Sequence, residues 1–224
     1  MRLLGDAAVA MWWNVAEENL GEFHDWHSRE HLPERLGIPG FNRGSRWQQP
    51  GGGDFFVLYE LETYDTLISD GYRARLNAPT PWSTKMMPLH LQMVRSQCRI
   101  ICSHGGGLAT FISTIRLSPA TGRAGQLEEY VRVSVEHLSH RLGVTGAHLL
   151  RTETPASEPT TEQKIRGGDA VADWIVLVAG HDDEALREIT EGSLGGDALR
   201  HNGAARSQAG EPYRIVHAMV PQDV

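Results

Sequence analysis

The stretch His24-x-x-His27-x-x-x-His31, followed by Glu34 and Arg35, holds the residues best suited to chemistry. On a helix, at about 100° per residue, these side chains fall within roughly one 100° sector. Imidazole takes up and releases protons near pH 7 at little cost. His31 and His27 therefore suit general acid/base catalysis, with Glu34 orienting an imidazole or acting as a further base. Imidazoles three or four residues apart also share zinc or iron. All three together would span about 10 Å at 1.5 Å per residue, too far for one ion on an unbroken helix, whereas two of them with Glu34 or a distant His are feasible. Leu20 and Ile38 lie in the same sector, so the face either borders a polar cavity or is partly exposed. Pro33 favours a cavity, because it removes an amide hydrogen bond and presses on the carbonyl of Arg29. Trp26, Leu32 and Leu36 form a second stripe that could be the buried one instead.

Each of these residues also has an ordinary structural reading. His31 could hold the following Pro39-Gly40 turn, Glu34 could make a simple contact with His31 or Arg35, and Arg35 could pair with Glu30. Aromatic residues offer a substrate pocket. Strand alternation sets Trp12 and Asn14 on one side of the first strand and Met11 and Trp13 on the other, with Trp47 and Tyr59 on neighbouring strands. Trp82 lies in the loop Pro79-Thr80-Pro81-Trp82-Ser83-Thr84, which could cap the pocket. Trp12, Asn14, Trp47, Tyr59 and Trp82 are thus the expected substrate-binding set, with core packing as the alternative. Together with an imidazole they suit a flat, weakly acidic molecule such as a phenol, enol or lactone.

The elements that position these residues occur twice. Glu30-His31-Leu32-x-x-Arg35-Leu36-Gly37-x-x-Gly40 recurs as Glu136-His137-Leu138-x-x-Arg141-Leu142-Gly143-x-x-Gly146, at an offset of 106. Asp54-Phe55-Phe56-Val57-Leu58 matches Asp173-Trp174-Ile175-Val176-Leu177 at an offset of 119. The second copy therefore carries about thirteen extra residues, supplied by the polar segment 155–168, which reads as a mobile loop. Within the repeat, Arg35 and Arg141 read as salt-bridge partners of Glu30 and Glu136. His27 has no counterpart, since Val133 stands in its place.

Each copy has the order β-α-β-β-α-β. In the first, strands are expected at 7–16, 41–48, 54–62 and 89–102, and helices at 17–37 and 64–77, with a proline-broken loop at 79–82. In the second, strands are expected at 107–117, 147–154, 173–180 and 213–220, and helices at 124–142 and from 182. The fold class is α+β: two tandem ferredoxin-like βαββαβ units, 1–103 and 104–224, whose antiparallel sheets pair into an α/β barrel.

The segment Phe23-x-x-Trp26-His27-x-x-x-His31-Leu32, leading to Leu36-Gly37-Ile38-Pro39-Gly40-Phe41, resembles the helix-then-strand signature of the EthD-like families in the dimeric α/β-barrel superfamily. Thr145 replaces the proline of the Pro-Gly pair in the second copy. The resemblance implies a barrel built from two ferredoxin-like units, here supplied by one chain, with a helix histidine at the pocket. It implies a broad chemistry, spanning cofactor-free cyclases, lactone isomerases, quinone-forming monooxygenases, haem enzymes and proteins without an assigned reaction. A fold alone does not choose among these.

Composition narrows the classes. The 224 residues carry 21 Lys and Arg against 28 Asp and Glu, a net charge of −7, with 40% hydrophobic residues. This is globular, argues against a nucleic-acid binder, and contains no run of the ~18–20 apolar residues that a bilayer span requires. The start, MRLLGDAAVAMWW, lacks a cleavage-site pattern. Cys98 and Cys102 lie about 13 Å apart on a strand, too far to bridge, so a cytoplasmic location is expected. The glycine runs at 51–53 and 105–107 lack the strand-to-helix context of a phosphate loop. No cofactor is expected; haem, with His90, His104 or His217 as axial ligand, or a divalent metal, is the alternative. The sequence thus points to a small-molecule enzyme of isomerase, cyclase, lyase or monooxygenase type working by acid/base chemistry. Its rivals are a non-catalytic metabolite-binding or assembly protein and a haem- or metal-dependent enzyme. Exposed strand edges make a homodimer the expected assembly.

Overall fold

A computed structural model describes residues 3–153 and 158–224. The chain forms two compact units, one of Leu4–Cys98, Glu153–Val171 and Val216–Val224, the other built chiefly of Arg99–Thr152 and Ala172–Ile215. The chain thus passes between units at Cys98/Arg99, a few residues before the boundary expected at 103/104. It passes back for the segment after Thr152 and again for the C-terminus.

In the first unit, β1 (Ala7–Asn14) leads through a 3₁₀ turn into α1 (Leu20–Trp26), a π-helical turn (His27–His31) and α2 (Leu32–Leu36). Then follow β2 (Phe41–Gln48), β3 (Asp54–Leu61), a 3₁₀ turn (Tyr64–Ile68), α3 (Asp70–Asn77), α4 (Pro81–Met86) and β4 (Leu91–Gly105). The strand order β4-β1-β3-β2 is that of a ferredoxin-like sheet, with β3 antiparallel to both β1 and β2. Cross-strand partners share a face. Val9, Met11 and Trp13 therefore lie beside Tyr59, Val57 and Phe55, and Gly44 and Arg46 complete that face from β2. Phe23, Trp26, Leu32 and Leu36 pack on it to make one core. At full burial each such side chain contributes about 1.5–3 kcal/mol.

The second unit repeats the pattern with β5 (Phe111–Pro119), α5 (Ala124–Leu138), β6 (Val144–Thr152), β7 (Trp174–Gly180), α7 (Asp183–Glu191), β8 (Ala204–Ala209) and β9 (Tyr213–Met219). Between them in chain order stand α6 (Thr161–Arg166), which belongs to the first unit, and α8 (Gly196–His201). β7 is antiparallel to both β5 and β6, and β8 adds to β5. Leu127, Val131, Val135 and Leu138 of α5 cover this sheet.

Three local expectations are corrected. The segment 79–82 is not simply a loop. Thr80 caps α4 by accepting from the Ser83 amide, and Pro81 takes the first helical position, where a missing N–H costs nothing. Of the segment 155–168, residues 155–157 lie outside the described residues, but Thr161–Arg166 is a helix rather than a mobile loop. Thr160 and Gln163 form a capping box, and Gly167 ends the helix at φ +82°. β8 was not foreseen, because AARSQA lacks alternation and is mostly exposed. Among the described residues, no helix is long and apolar enough to cross a membrane.

Candidate functional site

The π-helical turn is the local feature that makes the site. Pro33 has no N–H to donate to Arg29, and the chain widens just before it, so that the Leu32 amide reaches back to the His27 carbonyl. His27 and His31 both turn inward from this segment, their rings 5.5 Å apart, with 1% and 9% of their surfaces exposed. Arg35, one turn on, is equally buried. Leu32 seats over Gly44, where a side chain would meet its Cδ1 at 3.0 Å.

These residues line a cavity between the helix and the first unit's sheet. Its walls include Trp13, His27, His31, Arg35, Tyr59, Tyr72, His90, Arg95, Glu162 and Arg166. The cavity measures about 30 Å³, room for one or two water molecules or a diatomic molecule, so a larger ligand enters only if the walls move. Aromatic rings wall the imidazoles: Trp13 lies 4.7 Å from His90, Trp26 4.6 Å from His31 and Phe23 5.5 Å from His27.

Five polar side chains turned into this space have buried atoms without a hydrogen-bond partner among the described residues. They are both ring nitrogens of His27 and of His90, Nδ1 of His31, Nε1 of Trp13 and the hydroxyl of Tyr59. Each such atom costs about 1–3 kcal/mol, and buried polar groups are otherwise nearly always bonded. Their concentration here marks a place for polar ligand atoms. Burial, with Arg46 second, holds His27 well below the usual imidazole range; burial and Arg35 do the same to His31. Burial and Arg166 push His90 down to about 3. Burial pushes the Tyr59 hydroxyl up against the pull of Arg35. At neutral pH the cavity therefore presents three neutral imidazoles and a protonated phenol.

One wall comes from the segment that lengthens the second repeat. Glu162 on α6 accepts from Arg35 Nη2, and Arg166 lies 3.6 Å from the same carboxylate. Asp169 binds Arg166 at 2.8 and 3.0 Å, and Arg95 donates to the Tyr72 hydroxyl at 2.7 Å. The Ala170 amide donates to the Met93 carbonyl and the Arg95 amide to the Ala170 carbonyl, fixing the segment to β4. Against the arginines 35, 95 and 166 stand the carboxylates 162 and 169.

Of the expected site residues, His31, His27 and Tyr59 meet at the cavity. Glu34 does not line it; its carboxylate, pushed up by burial, lies 3.4 Å from Arg75 and 3.8 Å from Arg35. Trp12, Asn14 and Trp47 occupy the opposite face of the sheet, as the period of two requires. Trp12 and Trp47 both register with Phe56, and Asn14 donates to Asp54. Trp82 is half-buried against the edge of the core, does not line the cavity, and donates to Glu22. Trp13, Arg95, Glu162 and Arg166 were missed, and His90 was expected only as a haem ligand. Alternation marked Trp13 as facing away from Trp12, and Thr160-x-x-Gln163 marked a helix start, but nothing local ties His90 or α6 to His31.

The repeat does not carry the site into the second unit. His137 and Glu136 are exposed, and Val133, in the place of His27, is 43% exposed. Arg35 pairs with Glu162 and Arg141 with Glu188. Neither pairs with the glutamate five positions before it, and Glu30 instead accepts from Trp26, Thr80 and Ser83. Among the described residues, no group of three or more His, Cys, Asp and Glu side chains is placed to hold a metal ion.

No protein-family model and no curated protein sequence matches the chain. Solved structures do. A candidate monooxygenase from Fusobacterium nucleatum subsp. nucleatum superposes with a TM-score of 0.62 at 6% identity, over 96% of this chain and 95% of the other. An anthrone oxidase-like protein gives 0.63 at 9%, over 96% and 93%. A candidate monooxygenase from Lactobacillus acidophilus gives 0.59 at 8%, over 96% and 97%. At such identities the likeness shows the fold alone, that of the ferredoxin-like dimeric α/β-barrel proteins.

Proposed function

We propose that the protein is a small-molecule enzyme that moves protons on an enolisable or phenolic substrate, using the first unit's histidine cavity and no nucleotide. The observation that carries this reading is the convergence of five buried, unpartnered polar side chains on one cavity. His31 takes the proton from a C–H or O–H acid, leaving an enolate or phenolate and an imidazolium. A depressed imidazole is a weak base in the empty site. However, the cations that add to burial in depressing it, Arg35 and Arg166, also stabilise the anion that deprotonation creates. The phenol of Tyr59 and the second imidazole, His27, are donors for the developing oxyanion. Return of the proton to another atom gives isomerisation, cyclisation or elimination; attack of the carbanion on dioxygen gives oxygenation. The fold shared with proteins described as monooxygenases or anthrone oxidase-like supports the last of these.

The test is a screen of phenols, anthrones and enolisable lactones, aerobic and anaerobic, on wild type and His31→Ala. Turnover of at least one substrate is expected, falling about 10²- to 10⁴-fold in His31→Ala, with His137→Ala unchanged. Equal turnover in wild type and His31→Ala overturns the reading.

A further inference from the structure

Arg46 is a second unusual feature of the first unit, and the proton-transfer reading makes no use of it. It sits on the helix-covered face of β2, opposite Val57, with 3% of its surface exposed. Nη2 donates to the Ser28 hydroxyl at 3.0 Å, and the guanidinium carbon lies 5.6 Å from the centre of the Phe23 ring. Nε and Nη1 are buried without a partner. With Nη2 on a hydroxyl and the other two nitrogens unbonded, no carboxylate among the described residues holds this charge. Buried guanidinium groups are ordinarily paired, because an uncompensated charge out of water is among the costliest features a fold can carry.

Its surroundings are basic as well. His217 lies on β9, the hydrogen-bonded neighbour of β2, on the end that belongs to this unit, and its buried Nε2 has no partner among the described residues. The Arg46 charge acts on His24, His27 and His217 alike, helping burial to lower each of them, and burial pushes Arg46 itself down to about 10. The carboxylates that bear on the group, Asp25 on His24 and Asp223 on His217, act on the imidazoles rather than on Arg46. A cation with two free N–H directions, flanked by imidazoles and shielded by an aromatic ring, has the composition of an anion site.

We infer that Arg46, with His217 and Ser28 beside it, binds a small monovalent anion, a carboxylate or a halide, on the β2 flank of the histidine cavity. The anion takes its hydrogen bonds from Nε or Nη1 of Arg46 and from Nε2–H of His217. Bound there, it offsets the Arg46 contribution to the depression of His27, burial remaining the larger cause, so the site tunes the cavity without being part of it. The site does not depend on what reaction the cavity performs.

Formate is the probe. ¹⁵N–¹H correlation spectra of arginine Nε groups are recorded during a titration with potassium formate, with potassium sulfate keeping the ionic strength constant. The Arg46 resonance is identified by its loss in Arg46→Lys. A saturable shift of that resonance is expected, with affinity at least tenfold weaker in His217→Ala, and chloride competing with formate. No saturable shift, or one unaltered in His217→Ala, overturns the site. Should Arg46→Lys not fold, thermal unfolding decides. Wild type should gain melting temperature saturably with formate over sulfate, and Arg46→Met or His217→Ala should lose that gain; persistence of the gain in whichever variant folds overturns the site.

Discussion

Replacing Arg35 by Met is expected to lower the unfolding free energy by about 3 kcal/mol, the lower end of the cost of removing one partner from a buried ion pair. Arg35 and Glu162 are 4% and 3% exposed at the side chain, and their contact joins α2 to α6 across 127 positions of sequence. Loss of the guanidinium leaves the Glu162 carboxylate with Arg166 alone, which is itself bound to Asp169. Glu162→Leu by itself leaves Arg35 with only the longer contact to Glu34, at 3.8 Å. In the double variant no charge is stranded, so most of the loss should be recovered, as happens when buried pairs give way to apolar side chains. Urea unfolding of the four proteins in this cycle checks it. Additive losses, or single variants as stable as wild type, would mean that α6 does not seal the cavity as described.

The second large effect is acid sensitivity. His27, His31 and His90 are held below their ordinary value of 6.5 in the folded chain, chiefly by burial. Between 6.5 and the depressed folded values the unfolded chain binds more protons than the folded one, so stability is fully present above pH 6.5 and is lost as the pH falls. Each imidazole contributes up to about 1.4 kcal/mol per pH unit, so the three together approach about 4 kcal/mol per unit. Denaturant unfolding measured from pH 8 to pH 4.5 should show this slope. His90→Phe, which fits among Trp13, Phe23 and Trp26, should flatten it by about a third. A slope unaltered in His90→Phe would show that this imidazole titrates normally.

What could be read from the sequence follows the range of the forces involved. The two-unit plan was legible because strand alternation and helix periodicity are local, and because Glu30–Gly40 and Glu136–Gly146 share seven residues at the same spacing. β2 runs from Phe41 to Gln48, as its alternation suggests. The pairing of His27 with His31 was legible for the same reason. His90 was not, since only the tertiary approach of the residues before β4 to Trp13 and Phe23 brings it in. Glu162 and Arg166 were hidden because a polar segment reads as a loop until its carboxylate finds a buried guanidinium. The repeat also misled. His31 and His137 stand at matching positions of the repeat, yet one is buried beside a π-helical turn and the other is exposed on a regular helix. Trp12 and Trp13 show how little separates a pocket residue from its neighbour, because a single step along β1 reverses the face.

The central claim is that three imidazoles share one cavity of the first unit as neutral groups whose ring nitrogens await a ligand. The most direct measurement is a ¹⁵N titration of the histidine side chains from pH 8 to pH 4.5, with His27→Ala, His31→Ala and His90→Ala used for assignment. The rings of His27, His31 and His90 are expected to keep neutral-imidazole shifts as the pH falls well below 6.5. If the signals of His27, His31 and His90 instead change to imidazolium near pH 6.5, the cavity is open to water and charge, and the proton-transfer site described here does not exist.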